Sequence, residues 1–151
     1  MFSTSELTLG TDIDKNHMVR QRTTNNASQE WSDGSINDLR LSAFEGDLVG
    51  LHACWIEKDP QAPLRLWYAS DNATFQEYVR KRNLWTREKT WEGYSGAAGV
   101  SCYSTGEGDF IYVALINLDY ELEIWYQDIT NQQSEWEQCK DYSPTSIPDS
   151  S

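Results

Sequence analysis

"LRLWYASDNATFQEYVRKRNLW", residues 64–85, decides the fold. Its apolar residues alternate with polar ones in two short runs, and the polar "SDNA" between the runs supplies a turn. An antiparallel hairpin follows. In a hairpin the position numbers of opposed residues have a constant sum. A turn centred on Asp71 therefore sets Arg65 opposite Glu77 and Trp67 opposite Phe75, with Cβ atoms about 4.5–5.5 Å apart on one face. A slip of one residue would send the pair to opposite faces. Arg65 and Glu77 are thus either a surface ion pair, worth about 0–1 kcal/mol, or two polar arms of a ligand site.

The same alternation recurs along the chain. "VGLHACWIE", "FQEYVRK", "GVSCYS", "FIYVALIN" and "LEIWYQD" are short, rich in aromatic and β-branched residues, and separated by Asp, Asn, Gly, Pro or Ser. Long helical stripes are absent, so the chain is all-β. Self-similarity then groups the strands. Trp31, Trp85 and Trp136 recur at spacings of 54 and 51, Cys54 and Cys102 at 48, and the starts of "LRLWY" and "FIYVA" at 46. A unit of about 50 residues with four short antiparallel strands is a β-propeller blade. "ELTLGT", "MVRQRT" and "EWSDGS" supply three strands of a first, incomplete unit. About three blades result, over residues 1–140, followed by a disordered tail, "DYSPTSIPDSS", at 141–151.

Propellers typically close a ring of four to eight blades. Three open blades would leave apolar faces uncovered at both ends. Either two chains form a homo-oligomer that completes a six-bladed ring, or the chain is a segment of a longer propeller. The alternative is collapse of three sheets into a sandwich or small barrel.

Composition narrows the function. At 151 residues the chain is one domain, and its seven Trp and eight Tyr carry much of its burial capacity. A net charge of −12 repels a phosphate backbone, so nucleic acid is not expected as a partner. The start lacks the n- and h-regions of a secretory signal, and no apolar run reaches membrane-spanning length. A cytoplasmic location, or release without a classical signal peptide, is expected, with no membrane partner. Cys54, Cys102 and Cys139 show no CxxC spacing and no nearby His partner. Neither a complete disulfide framework nor a zinc site is expected, and Cys54 and Cys102 read as reduced, inert thiols at equivalent points of inner strands.

Catalysis is not favoured. A glycosidase needs two carboxylates about 5–9.5 Å apart across a cleft, whereas the acids of "EWSDGS" and "EWEQCKD" fit solvated turns. No Ser or Cys sits in a nucleophile elbow, and no cofactor is expected. The basic run "VRKRNLWTREK", residues 79–89, suits charged outer-strand positions that discourage edge pairing.

One pattern is more specific. "W-x-DG-x-(I/L)", a Gly-led inner strand, "LRLWY", a polar turn, an apolar residue two before a Glu, and a Trp eight residues after it resembles the fungal fucose-specific lectins. The likeness covers roughly residues 7 to 138. It implies six-bladed propellers with sugar sites between consecutive blades: an Arg and a Glu from one blade, and a Trp and often a Tyr from the next. Carried onto this chain, those roles fall on Arg65, Glu77, Trp136 and, more loosely, Tyr126. The implied ligand is free fucose or a fucosylated glycan. A guanidinium can donate to sugar hydroxyls, a carboxylate can accept from them, and an indole can cover the apolar face. The other repeats depart from this pattern. Ile111 stands at the Arg position of the last blade, and Ile124 or Glu123 at its Glu position. Leu7 and Val19 occupy those places in the first blade. One site per chain is expected. The alternative is a degenerate propeller that acts as a protein-interaction scaffold.

Overall fold

A computed structural model describes residues 7–25, 30–56, 64–82, 84–104, 109–131 and 134–140. The expected tail at 141–151 lies outside the described residues. Three antiparallel sheets follow one another in chain order. The first contains β1 (Leu7–Ile13), β2 (Val19–Asn25) and β3 (Trp31–Asp33), followed by a short 3-10 turn over Ser35–Leu39. The second contains β4 (Leu51–Trp55), β5 (Leu64–Asp71), β6 (Thr74–Lys81) and β7 (Leu84–Glu92). The third contains β8 (Ser101–Ser104), β9 (Phe110–Ile116), β10 (Leu122–Asp128) and β11 (Glu137–Gln138). These are the blades read from the sequence, called blades 1, 2 and 3 below. No helix among the described residues is long and apolar enough to cross a membrane.

Two apolar cores lie between the blades. Leu66 and Tyr68 face blade 1, where they join Val19, Ile36 and Leu41. Trp67, Ala69, Phe75 and Trp91 face blade 3, where they join Ile111, Val113 and Leu115. β5 is therefore covered on both faces, and Leu64 to Ala69 are buried without a break. Each large side chain so enclosed contributes roughly 1.5–3 kcal/mol relative to exposure. Main-chain bonds stitch the turns together as well. Gly93 ends β7 at φ 91°, a backbone that a side chain would strain, and its carbonyl accepts from the Leu118 N–H at 3.2 Å.

The hairpin register differs from the one read from the sequence. Trp67, not Arg65, lies opposite Glu77, Arg65 lies opposite Val79, and Ala69 faces Phe75. The turn sits on Asn72 and Ala73, with the Ala73 N–H donated to Asp71 Oδ1 at 2.8 Å. A shift of two residues preserves the face, so Arg65 and Glu77 remain diagonal neighbours.

The cysteines overturn a second expectation. Cys54 and Cys102 are not free thiols: they form a disulfide with a Cα–Cα distance of 5.9 Å, and Cys139 is the free one. Aligning Gly50 with Gly99 shows why. Cys54 then corresponds to Tyr103, and Cys102 to Ala53. A one-residue offset reverses the face, so Cys54 points forward from blade 2 and Cys102 points back from blade 3. The bond thus joins the inner strands of adjacent blades. It closes a 48-residue separation, so chain entropy alone predicts about 4 kcal/mol of stabilisation, commonly 2–4 when measured. Dithiothreitol, or the paired change Cys54→Ser and Cys102→Ser, should lower the urea midpoint accordingly. A midpoint insensitive to both would show that the crosslink does not form.

Candidate functional site

Arg65 on β5 and Glu77 on β6 project from blade 2 toward blade 3. Glu77 is completely buried and Arg65 nearly so, with Arg65 Nη1 3.3 Å from Glu77 Oε2. The same Nη1 donates to Gln127 Oε1 of β10 at 2.8 Å, and Gln127 Nε2 donates to the Ser134 carbonyl at 2.9 Å. Gln127 therefore covers the guanidinium from the facing blade. Burial pushes the Glu77 carboxyl up to about 7, with the nearby charge of Glu88 adding to the rise. The Arg65 guanidinium opposes that shift, as does the Trp91 Nε1–H, which lies near the carboxyl without closing a full hydrogen bond to it.

A β-bulge organises what surrounds Glu77. β6 and β7 pair Gln76 with Thr90 but Tyr78 with Arg87, so an extra β7 residue lies opposite Glu77. The bulge reverses the alternation along β7. Trp91, opposite Phe75, faces blade 3, whereas Trp85, opposite Arg80, faces blade 1. Six residues apart on a regular strand, they would share a face.

The indoles cluster on the same face of blade 2 as the ion pair. Trp136, just before β11, lies 6.2 Å from Trp67 and 5.2 Å from Trp91, edge to face in both cases. Trp125 packs 5.6 Å from Trp91 and donates to the Tyr94 hydroxyl at 2.8 Å, which in turn donates to Glu123 Oε1 at 3.0 Å. Burial and the Glu123 charge raise the Tyr94 hydroxyl to about 12, so it remains a donor. Among the described residues, Glu77 Oε1, Trp67 Nε1 and Trp91 Nε1 are buried and complete no hydrogen bond. Unsatisfied polar atoms are uncommon in protein interiors, and three in one layer mark a functional candidate.

The structure thus pairs Arg65 with Glu77 and sets Trp136 against Trp67 and Trp91, which project from blade 2 on the same face as that pair. Tyr126 is elsewhere. It lies on the opposite face of β10 from Gln127, where it donates to Glu137 Oε2 at 2.6 Å and packs against Phe110 and Tyr112. The last blade also reads differently. Ile111 points back into the core with blade 2, and Tyr112 occupies the forward register that corresponds to Arg65. Opposite Ala114 lies Ile124, the counterpart of Glu77 opposite Trp67, as the one-residue insertion implied. Glu123 points the other way, into the Tyr94 and Asn117 hydrogen bonds. Val19 is buried in the blade 1 core. Gln127, Trp67 and Trp91 were missed from sequence. Alternation in "LEIWYQD" couples Gln127 to Trp125, but only the blade order says which face meets Arg65.

His52 also lies beside Cys54 and Cys102, with ligand atoms within 4.8 Å. The cysteines therefore do have a His neighbour, contrary to the expectation from sequence. Here the sulfurs are bonded to each other, and His52 Nδ1 accepts the Cys102 N–H at 2.8 Å.

No protein-family model matches the chain, and no curated protein sequence does. Solved structures do. A fucose lectin from Kordia zhangzhouensis in complex with methyl-fucoside matches with a TM-score of 0.63 at 17% identity, covering 91% of each chain. An Aleuria aurantia lectin variant in complex with alpha-methyl-L-fucoside matches with a TM-score of 0.66 at 15% identity, covering 87% of this chain and 44% of that one. The same lectin with Fucalpha1-6GlcNAc gives equivalent values. This chain shares their fold, three β-propeller blades, and spans under half of the Aleuria chain.

The raised Glu77 carboxyl has a signed consequence. Between about pH 4.5 and 7 the folded chain retains a proton that the unfolded chain has released, so stability falls as pH rises through that window. Urea midpoints at pH 5 and pH 8 should show this loss, and Glu77→Gln should reduce it. Equal pH dependence in both proteins would mean that Glu77 stays ionised.

Proposed function

We propose that the chain is a non-catalytic carbohydrate-binding protein that takes fucose-type sugars between blades 2 and 3. The supporting observation is the buried Arg65–Glu77 pair on the face of blade 2 that carries the Trp67–Trp91–Trp136 cluster, with Glu77 Oε1 lacking a hydrogen bond. A sugar that displaces the Gln127 carboxamide would offer hydroxyl oxygens to Arg65 and a hydroxyl proton to Glu77. Charge-assisted bonds of this kind are roughly twice as strong as neutral ones. The methyl and C–H face of a deoxysugar would lie against the Trp136 indole. The match to fucoside-bound lectins agrees with this chemistry. Of the two expected locations, the disulfide favours release into oxidising surroundings.

The same reading extends to assembly. The forward face of blade 3 carries Tyr103, half exposed and stacked on Tyr112 at 5.1 Å, with Tyr126 beside them. On the backward face of blade 1, Trp31 is 54% exposed and lies over Gly10. These unlike aromatic faces suit head-to-tail contact between two copies, completing a six-bladed ring. Light scattering should then give twice the chain mass. A stable monomer would refute self-completion.

Fucose should quench tryptophan fluorescence more strongly than glucose or galactose. Its affinity should rise between pH 6 and pH 8 as Glu77 ionises, because only the carboxylate is a pure acceptor. Arg65→Ala, Glu77→Ala and Trp136→Ala should each abolish the response. For the two charged groups this corresponds to about 1.5–3 kcal/mol per hydrogen bond. Tyr112→Ala and Ile124→Ala should leave it intact in a monomer, whatever they do to assembly. No response from the folded protein at tens of millimolar fucose would leave the interaction scaffold as the function.

A further inference from the structure

His52, Cys54 and Cys102 converge between the inner strands of blades 2 and 3. His52 and Cys54 are two residues apart on β4, so strand alternation sends both side chains to the face that meets blade 3. Cys102 on β8 reaches back toward them, and the donor atoms of all three lie within 4.8 Å of one another. Among the described residues, no other set of three His, Cys, Asp or Glu donors converges in this way. The imidazole is already aimed. His52 Nδ1 accepts the Cys102 N–H at 2.8 Å, which directs its lone pair at the residue that carries the second sulfur. Both cysteines are buried, whereas His52 is only half-buried and leaves an entry path at the edge of the group.

Two thiolates and an imidazole form a donor set that suits zinc and disfavours magnesium or calcium. Bonded to each other, the sulfurs are not thiolates, so the set can ligate only after reduction. A dithiol supplies what that step needs. The Cys54–Cys102 S–S bond breaks, its two sulfurs take up two electrons and two protons, and the dithiol is oxidised to its own disulfide. Zinc then displaces both thiol protons to solvent and forms two Zn–S bonds and one Zn–N bond, with water in the fourth position. The distances permit this. Zn–S bonds of about 2.3 Å and Zn–N bonds of about 2.0–2.1 Å place tetrahedral donors about 3.5–3.8 Å apart. Donors already within 4.8 Å need shifts on the order of 1–2 Å, which side-chain rotation supplies. Coordination through Nδ1 takes its lone pair from the Cys102 N–H, a loss of roughly tenfold to a hundredfold in affinity. Structural zinc sites bind with association constants of roughly 10⁷–10¹¹ M⁻¹ at neutral pH, so that loss is readily absorbed.

We propose that, when the Cys54–Cys102 bond is reduced, His52, Cys54 and Cys102 bind one zinc ion that joins blades 2 and 3 in place of the disulfide. The chain then keeps an inter-blade crosslink across a change of redox surroundings, covalent where thiols are oxidised and metallic where they are reduced. The site uses none of Arg65, Glu77 and Trp136, and it stands whether or not the chain binds a sugar.

The test uses the full chain, reduced with a phosphine and titrated with cobalt(II) as a coloured substitute for zinc. The reduced protein should show thiolate-to-cobalt charge-transfer absorption that saturates at one ion per chain and is bleached by added zinc. The oxidised protein should show none. His52→Ala should weaken cobalt binding about tenfold or more, Cys54→Ser should remove the absorption, and Cys139→Ser should change neither. Zinc should also raise the urea midpoint of the reduced wild type while leaving that of the paired Cys54→Ser and Cys102→Ser protein where it is. Absence of the absorption at submillimolar cobalt overturns the proposal. So does wild-type affinity in His52→Ala, or a reduced midpoint that ignores zinc. If the reduced chain unfolds without metal, recovery of its native tryptophan fluorescence on adding zinc takes the place of the midpoint, and failure to recover overturns the proposal equally.

Discussion

A carboxyl group with no solvent contact must be matched or neutral, and Glu77 lies between those limits. Arg65 supplies its counter-charge, but a single bond at 3.3 Å leaves Oε1 unpaired. Burial consequently dominates the charge, and the group titrates near neutrality. Removing either partner from such a pair is costly, although the pair itself is not an efficient way to stabilise a core. The surrounding layer compensates with apolar area. Trp67, Trp91 and Trp136 seal the pair, and the Cys54–Cys102 bond holds the two blades that enclose it. Cys54 lies directly opposite Arg65, so the covalent link and the charge share one rung of the sheet.

The all-β class, the blade boundaries and the proximity of Arg65 to Glu77 were legible because each depends on local alternation. What was not legible depends on facing. A hairpin sum fixes a face only to within an even shift, so the two-residue displacement at Asn72 kept the pair but changed its neighbours. Cys54 and Cys102 seemed equivalent at a spacing of 48, yet one residue of offset turned a repeat into a bond. Tyr126 was assigned by analogy with a neighbouring aromatic role. Its parity along β10 sends it to the outer face of blade 3, with Tyr112 and Phe110.

The bulge opposite Glu77 links these outcomes. With regular pairing, Trp85 and Trp91 would share one face of blade 2, and one of the two clefts would lose the indole that β7 now supplies to it. Inserting one residue in β7 gives each neighbouring cleft a tryptophan from the same strand: Trp91 toward blade 3, Trp85 toward blade 1. It does so where the carboxylate needs space, which accords with the tendency of bulges to re-aim side chains beside functional sites.

From there the two clefts diverge by composition rather than by backbone. Toward blade 3, β5 and β6 present Arg65 and Glu77, and the facing blade answers with Gln127. Toward blade 1, the same two strands present Leu64, Leu66 and Tyr68, and the only buried polar side chain that meets that cleft is Gln21 among the described residues. A charged pair selects hydroxyls through strong, directional bonds. A repeat that keeps its backbone geometry while exchanging two side chains can therefore set a cleft with a charged pair beside one walled mainly by apolar side chains. Each cleft is bounded by an indole that the bulge has distributed between them.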